Sequence, residues 1–289
     1  VDKFACYLSR RVLQFLHIEF CYGAYMRLGI STACFFGREN VESTFDVLRS
    51  MNVDVTELFL NTFSEYEKPF VDALVERKGD IKVHSVHAHG TCFEPELFSS
   101  YDRIRDDAEQ TFRKVCYAGF VTGAKYYTFH GPFVKPHRAL NIDFPKFGER
   151  VNQLCDIAES YGIQLAYENV NWAYFNTPDF FKNLKQYCPK LKATLDVKQA
   201  FFSDIDPYKF FDVVEDRLAT VHICDMDAKM NPVLPLSGKF NFDKFFRELY
   251  ARTPDVTVLI EVYKNCYTDY GNLRENYEKL NEMINKIIG

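Results

Sequence analysis

From Met26 onward the chain alternates between two patterns. Short runs rich in β-branched and aromatic residues are each followed by a longer stretch whose apolar positions recur every three or four residues. The short runs fall at 27–34, 53–60, 81–87, 125–130, 163–168, 191–196, 218–224 and 256–262. The amphipathic stretches fall at 40–51, 68–78, 101–122, 143–161, 177–187, from 206 onward, 241–251 and 273–288. In the first of these, Asn40 is the expected N-cap and Val41, Phe45, Val47 and Leu48 the apolar positions. Thr177-Pro178 and Asp206-Pro207 offer a cap followed by a first-turn proline. Eight strand-then-helix units imply parallel strands joined by right-handed crossovers. Residues 26–289 match the usual size of a closed (β/α)8 barrel, about 250 residues. No linker or low-complexity stretch divides them, so a single barrel domain is expected.

The polar exceptions within the short runs carry the chemistry. A strand buried on both faces reads as an apolar run, so an acid at its end faces either solvent or a site. The run LAYE ends in Glu168, KATLD in Asp196, TVH in His222 and TVLIE in Glu261. These would stand on strands 5, 6, 7 and 8, neighbours around a barrel, and can converge on one ion. An open doubly wound sheet is the competing arrangement, and the barrel is preferred because barrel sites are built at strand C-terminal ends. Three carboxylates and one imidazole form a fairly hard set suited to Mn²⁺ or Mg²⁺ and able to hold Zn²⁺ or Co²⁺. The bland alternative is four unrelated hydrogen-bonded residues. His87 and His130 close strands 3 and 4 and line the same mouth, whereas His84 falls within strand 3 and His89 in the loop beyond.

Composition narrows the picture. With 47% hydrophobic and 26% charged residues the chain can bury a large core. A formal net charge of −5 lacks the electrostatic footprint of a nucleic-acid binder. Nine scattered cysteines, an odd number with no CxxC pair, indicate neither a disulfide framework nor a zinc knuckle, and the expected compartment is the reducing cytoplasm. No apolar run approaches the roughly 20 residues needed to span a bilayer. Residues 1–25 superficially resemble a signal peptide, but Gln14, His17 and Glu19 interrupt the apolar region; the expectation is an accessory helix, the alternative a natural start at Met26.

Seven motifs in order, HAHG, FHGP, AYEN, LDVKQ, VHICD, PLSGKFNFDKFF and LIEV, resemble the xylose-isomerase-like superfamily, which includes sugar isomerases and epimerases and endonuclease IV. The resemblance covers residues 26–289. In the epimerase branch it implies one divalent metal held by Glu168, Asp196, His222 and Glu261, with Glu168 and Glu261 also moving protons. In endonuclease IV, residues matching His87 and His130 complete a larger cluster. That nuclease also needs a histidine where this chain has Gln199, and an Asp-x-His where it has KMNPVLPL, so a third metal lacks its ligands. A second departure is Asn241 in place of an aspartate that often ends the glycine-rich stretch after strand 7.

The expected reaction is proton transfer next to a carbonyl, through an enediolate stabilised by the metal. Return of the proton to the same carbon from the other face gives epimerisation, and return to the neighbouring carbon gives aldose–ketose isomerisation. A ketose or sugar phosphate is the expected partner, contacted by His87, His130, Gln199 and Trp172; a homo-oligomer is admitted, a membrane or nucleic acid is not. The 28 Phe and 18 Tyr supply aromatic loop residues such as Phe63, Tyr66, Phe133, Phe201 and Phe202 that suit a sugar face. Lys198 and Lys229 are expected to be solvated. The competing readings are a keto-polyol dehydratase, an endonuclease IV-like enzyme and a non-catalytic binding barrel.

Overall fold

The alternation closes into a ring. The computed structural model describes residues 25–134 and 141–289, so all but Tyr25 of the expected accessory helix over 1–25 lies outside the described residues. Eight parallel strands follow one another around the barrel: β1 Arg27–Ser31, β2 Val55–Leu60, β3 Lys82–Ala88, β4 Tyr126–Phe129, β5 Gln164–Glu168, β6 Lys192–Asp196, β7 Leu218–Ile223 and β8 Thr257–Ile260. Closure is made by β8 against β1, from Arg27↔Thr257 to Ile30↔Ile260, which leaves the sheet no open edge.

The helices of the described residues are α1 Val41–Ser50, α2 Lys68–Lys78, α3 Asp102–Thr122, α4 Phe144–Ser160, α5 Pro178–Leu184, α6 Val197–Phe202, α7 Tyr208–Val214, α8 Phe242–Arg252 and α9 Tyr270–Ile288. Each buries one apolar stripe; on α1 it is Val41, Phe45 and Leu48. Burial of one such side chain stabilises by about 1.5–3 kcal/mol, so the helices are held chiefly by the barrel they cover.

Alternation along the strands decides which residues enter the barrel. Tyr127 and Phe129 of β4 pack on Phe112 of α3, and Tyr167 of β5 packs on Phe180 of α5. Successive strand residues point to opposite faces, so Thr128, His130 and Glu168 are directed inward.

Several local readings change. The 27–34 run stops at Ser31, whose hydroxyl accepts from the Ala33 amide and starts a 3-10 turn at Thr32–Phe35. Asn40 and Thr177 precede their helices without a side-chain cap hydrogen bond. A short helix, α6, appears between β6 and α7, because the Asp196 carboxylate accepts from the Gln199 amide and caps it. Beyond β7 the chain forms a two-stranded antiparallel ribbon, Asp225–Met226 with Pro232–Val233.

Candidate functional site

Glu168 and Asp196 are the last residues of β5 and β6, His222 lies within β7, and Glu261 directly follows β8. All four are buried, and one ligand atom from each lies within 4.8 Å of the others. His222 Nδ1 stands 2.8 Å from Glu168 Oε1 and 3.3 Å from Glu261 Oε2. The ends of β5 and β6 are locked together by Asn169, whose amide oxygen accepts from the Asp196 amide at 2.7 Å while its Nδ2 donates to the Asp196 carbonyl at 2.9 Å. The side chain of Asn169, the residue after Glu168, thus pins the backbone of Asp196 before any ligand is considered.

Three acids this close and this dry need positive charge nearby. Lys198 supplies part of it: its ammonium lies 3.4 Å from Asp196 Oδ2 and 3.5 Å from Glu261 Oε2, above the Tyr263 ring at 4.8 Å. The expectation of a solvated Lys198 is therefore wrong, since the side chain is only 4% exposed; α6 starts directly at Asp196 and turns it inward. Lys229 is exposed as expected. Burial alone would raise the acids, but the charge of His222 holds Glu168 and Glu261 below the usual carboxylate range. Burial wins at Asp196, which rises to about 7 despite Lys198. Burial would lower the His222 imidazole, yet Glu57, Glu261 and Glu168 raise it well above its ordinary value.

This donor set fits a divalent cation. Asp196 Oδ2 is buried without a hydrogen-bond partner, and three carboxylates with one imidazole nitrogen are the ligands such an ion takes. The side chains that would hold it are Glu168, Asp196, His222 and Glu261.

A histidine wall stands beside this cluster. His87 Nε2 and His130 Nε2 are 2.9 Å apart, and His130 Nε2 is also 2.9 Å from Glu168 Oε2. Burial would lower His130, but hydrogen bonding to Glu168 and Glu94 overrides it and raises the ring to about 10. Glu94 was missed in the sequence, where nothing separates it from a surface acid. It is fully buried and accepts from the Tyr127 hydroxyl and from the amides of His130 and Gly131. Gly131 has φ +70°, and a Cβ there would collide with the Tyr167 hydroxyl, so the turn needs glycine. Glu57 was missed too, although an acid inside the apolar run VTELFL carries the signal that singled out Glu168.

Trp172 packs against the His130 ring at 5.2 Å and Phe133 at 5.1 Å. It also lines a groove of about 1350 Å³ with Phe133, Phe147 and Tyr174, beside the acid cluster rather than over it. Gln199 Oε1 accepts from the Asn171 amide, so it braces the loop that carries Trp172. Of the other aromatics singled out, Phe63 and Phe133 are exposed, Tyr66 is buried and Phe201 packs on Phe240. Phe36 and Phe59, not singled out, reach the wall through the His87 ring, 4.9 Å from Phe59. His84 meets Thr220 within the barrel, and Asn241 caps α8 through the Lys244 amide.

Residues 45–287 match the family of the xylose isomerase-like TIM barrel. The chain belongs to that family. No curated protein sequence matches the chain significantly. Among solved structures, a D-tagatose 3-epimerase-like protein shares 18% identity with a TM-score of 0.75, covering 91% of this chain and 100% of its own. D-psicose 3-epimerase from Clostridium cellulolyticum H10, solved with D-tagatose, shares 14% identity with a TM-score of 0.72, covering 91% and 99%. The IolI protein, solved with a bound zinc atom, shares 18% identity with a TM-score of 0.71, covering 91% and 98%. At these identities the likeness establishes the barrel of this xylose isomerase-like chain, not its substrate.

Proposed function

We propose that the protein is a divalent-metal-dependent sugar isomerase or epimerase acting on a ketose or its phosphate, with Glu168 and Glu261 as the proton-moving pair. The observation that carries this reading is the convergence of Glu168, Asp196, His222 and Glu261 within 4.8 Å at the C-terminal mouth of a closed barrel. The epimerases among its structural neighbours support it.

A bound divalent ion supplies positive charge where the charge of proton removal develops on the substrate oxygens. Glu168 and Glu261 rise from β5 and β8, three strands apart, and so address opposite faces of a substrate held between them. Both are kept ionised, which leaves each able to accept the proton next to the carbonyl. One takes it and is later deprotonated by water, while the other gains a proton from water and returns that proton to the substrate. His130, held by Glu94, orients Glu168, and the rings of Trp172 and Phe133 offer an apolar wall to the sugar chain.

The test is metal analysis of the purified protein followed by a ketose and ketose-phosphate panel in D₂O. Deuterium entering next to the carbonyl in a metal-dependent manner is the expected result. Absence of bound metal together with absence of exchange across the panel overturns the reading.

A further inference from the structure

Glu57 is an anion in the middle of the barrel, and its surroundings are not those of a stray buried acid. It is fully buried on β2. Ser85 donates to its Oε2 at 2.7 Å and Thr128 at 2.6 Å, while Ser31 donates to Oε1 at 3.2 Å. Three strands thus direct hydroxyl donors at one carboxylate. Two histidines approach the same Oε1: His87 through Nδ1 at 3.2 Å, and His222 through Nε2 at 3.1 Å, off the axis of a linear hydrogen bond.

The faces these rings leave free matter more. An ionised carboxylate only accepts, so each nitrogen aimed at it must carry the hydrogen. The His222 ring meets acids on both sides, Glu57 across from Nε2 and Glu168 and Glu261 at Nδ1; an ion held by Glu168 and Glu261 would replace the hydrogen on Nδ1, and the hydrogen that remains is the one on Nε2, facing Glu57. His87 has its hydrogen on Nδ1, and its Nε2 lone pair accepts from His130. The three hydroxyls hold Glu57 in place, which makes it a fixed reference for both rings.

We propose that Glu57 is the positioning residue of the centre: it sets which nitrogen of His222 faces the metal and, through His87, which way the histidine wall donates. The proposal rests on the metal reading above, and metal ligands oriented by an outer carboxylate typically lose 10–100-fold in affinity without it. A residue that touches no ligand position thereby shares control of the ion's binding with the four that would hold it.

The experiment compares zinc binding by calorimetry, and ring ¹H–¹⁵N spectra of the zinc-loaded protein, for the wild-type chain, Glu57→Gln and Thr122→Val, the last at a buried threonine whose hydroxyl bonds within its own helix α3. The amide of E57Q keeps the shape but removes the negative charge that both rings face. Expected are zinc on His222 Nδ1 with a hydrogen on Nε2 in the wild type, a displaced Nε2–H signal and zinc affinity weakened about 10–100-fold in E57Q, and T122V within about three-fold of wild type. E57Q with wild-type affinity and spectrum overturns the proposal, as does equal weakening in E57Q and T122V, which would mean a general loss of packing. If E57Q fails to fold, the wild-type spectrum decides: zinc on Nε2 of His222 overturns the proposal and zinc on Nδ1 upholds it. A wild-type chain that binds no zinc or other divalent ion brings down the metal reading itself, a result distinct from a bound ion indifferent to Glu57.

Discussion

At the scale of single residues, the proposed function gives Glu168 and Glu261 two jobs, holding the ion and moving the proton. Replacing either with Gln keeps an oxygen donor of similar size but removes the ability to accept a proton. Turnover of each variant is expected to fall by at least about 10²–10⁴-fold while metal content, read by elemental analysis, stays near one ion per chain. Near-normal turnover with metal bound would reduce them to plain ligands. Asp196 adds a pH dependence whose sign is fixed. Its folded value of about 7 lies above the ordinary 3.8, so the protonated form is the one the fold favours, and the stability this contributes is fully present below about 4 and lost as pH rises through 7. A divalent ion needs the ionised form, so its affinity is expected to rise across that window with release of protons, measurable by calorimetry in buffers of different ionisation enthalpy. A flat affinity profile from pH 5 to 8 would contradict the assignment. The three acids Glu168, Asp196 and Glu261 and the histidine His222 were legible in the sequence because each interrupts an apolar run at its end. Lys198 was not, since nothing in its neighbours distinguishes a lysine turned inward by a capped helix from one in water.

At the scale of elements, strand order and spacing were legible from periodicity alone, and the errors lie where tertiary contacts cut a pattern short. The run into Cys34 ends at Ser31 because a side-chain hydrogen bond starts a turn there, and α6 exists because Asp196 caps it. The clamp between β5 and β6 was unreadable for a related reason: Asn169 looks like any loop asparagine until β6 lies beside it. Asn169→Ala strands a buried amide and a buried carbonyl of Asp196, each costing roughly 1–3 kcal/mol. A lowered thermal midpoint is therefore expected, together with weaker metal binding, because the Asp196 backbone is no longer held. Unchanged values for both would mean that water replaces the amide without loss.

At the scale of the whole molecule, charge and site composition bear on the nucleic-acid reading. The chain carries a net charge of −5, and the segment after β7 folds into a ribbon in which Asp225 is consumed by the amides of Met226, Gly238 and Phe240. Gln199 is engaged with the Asn171 amide, so neither region offers ligands for a third ion. An abasic duplex incubated with the protein and excess zinc is expected to remain intact over hours. Cleavage at a turnover near the enzyme median of about 10 per second would reverse that expectation.

The closure of the barrel by β8 against β1 also carries a consequence for biosynthesis. Until Thr257–Ile260 has been translated, β1 and β7 present two unpaired sheet edges, and the pocket lacks Glu261 altogether. Any sheet formed by the earlier strands before β8 docks would keep those two edges unpaired, the condition that favours edge-to-edge association. An ion held by Glu168, Asp196, His222 and Glu261 would find its full set of ligands only after β8 has docked.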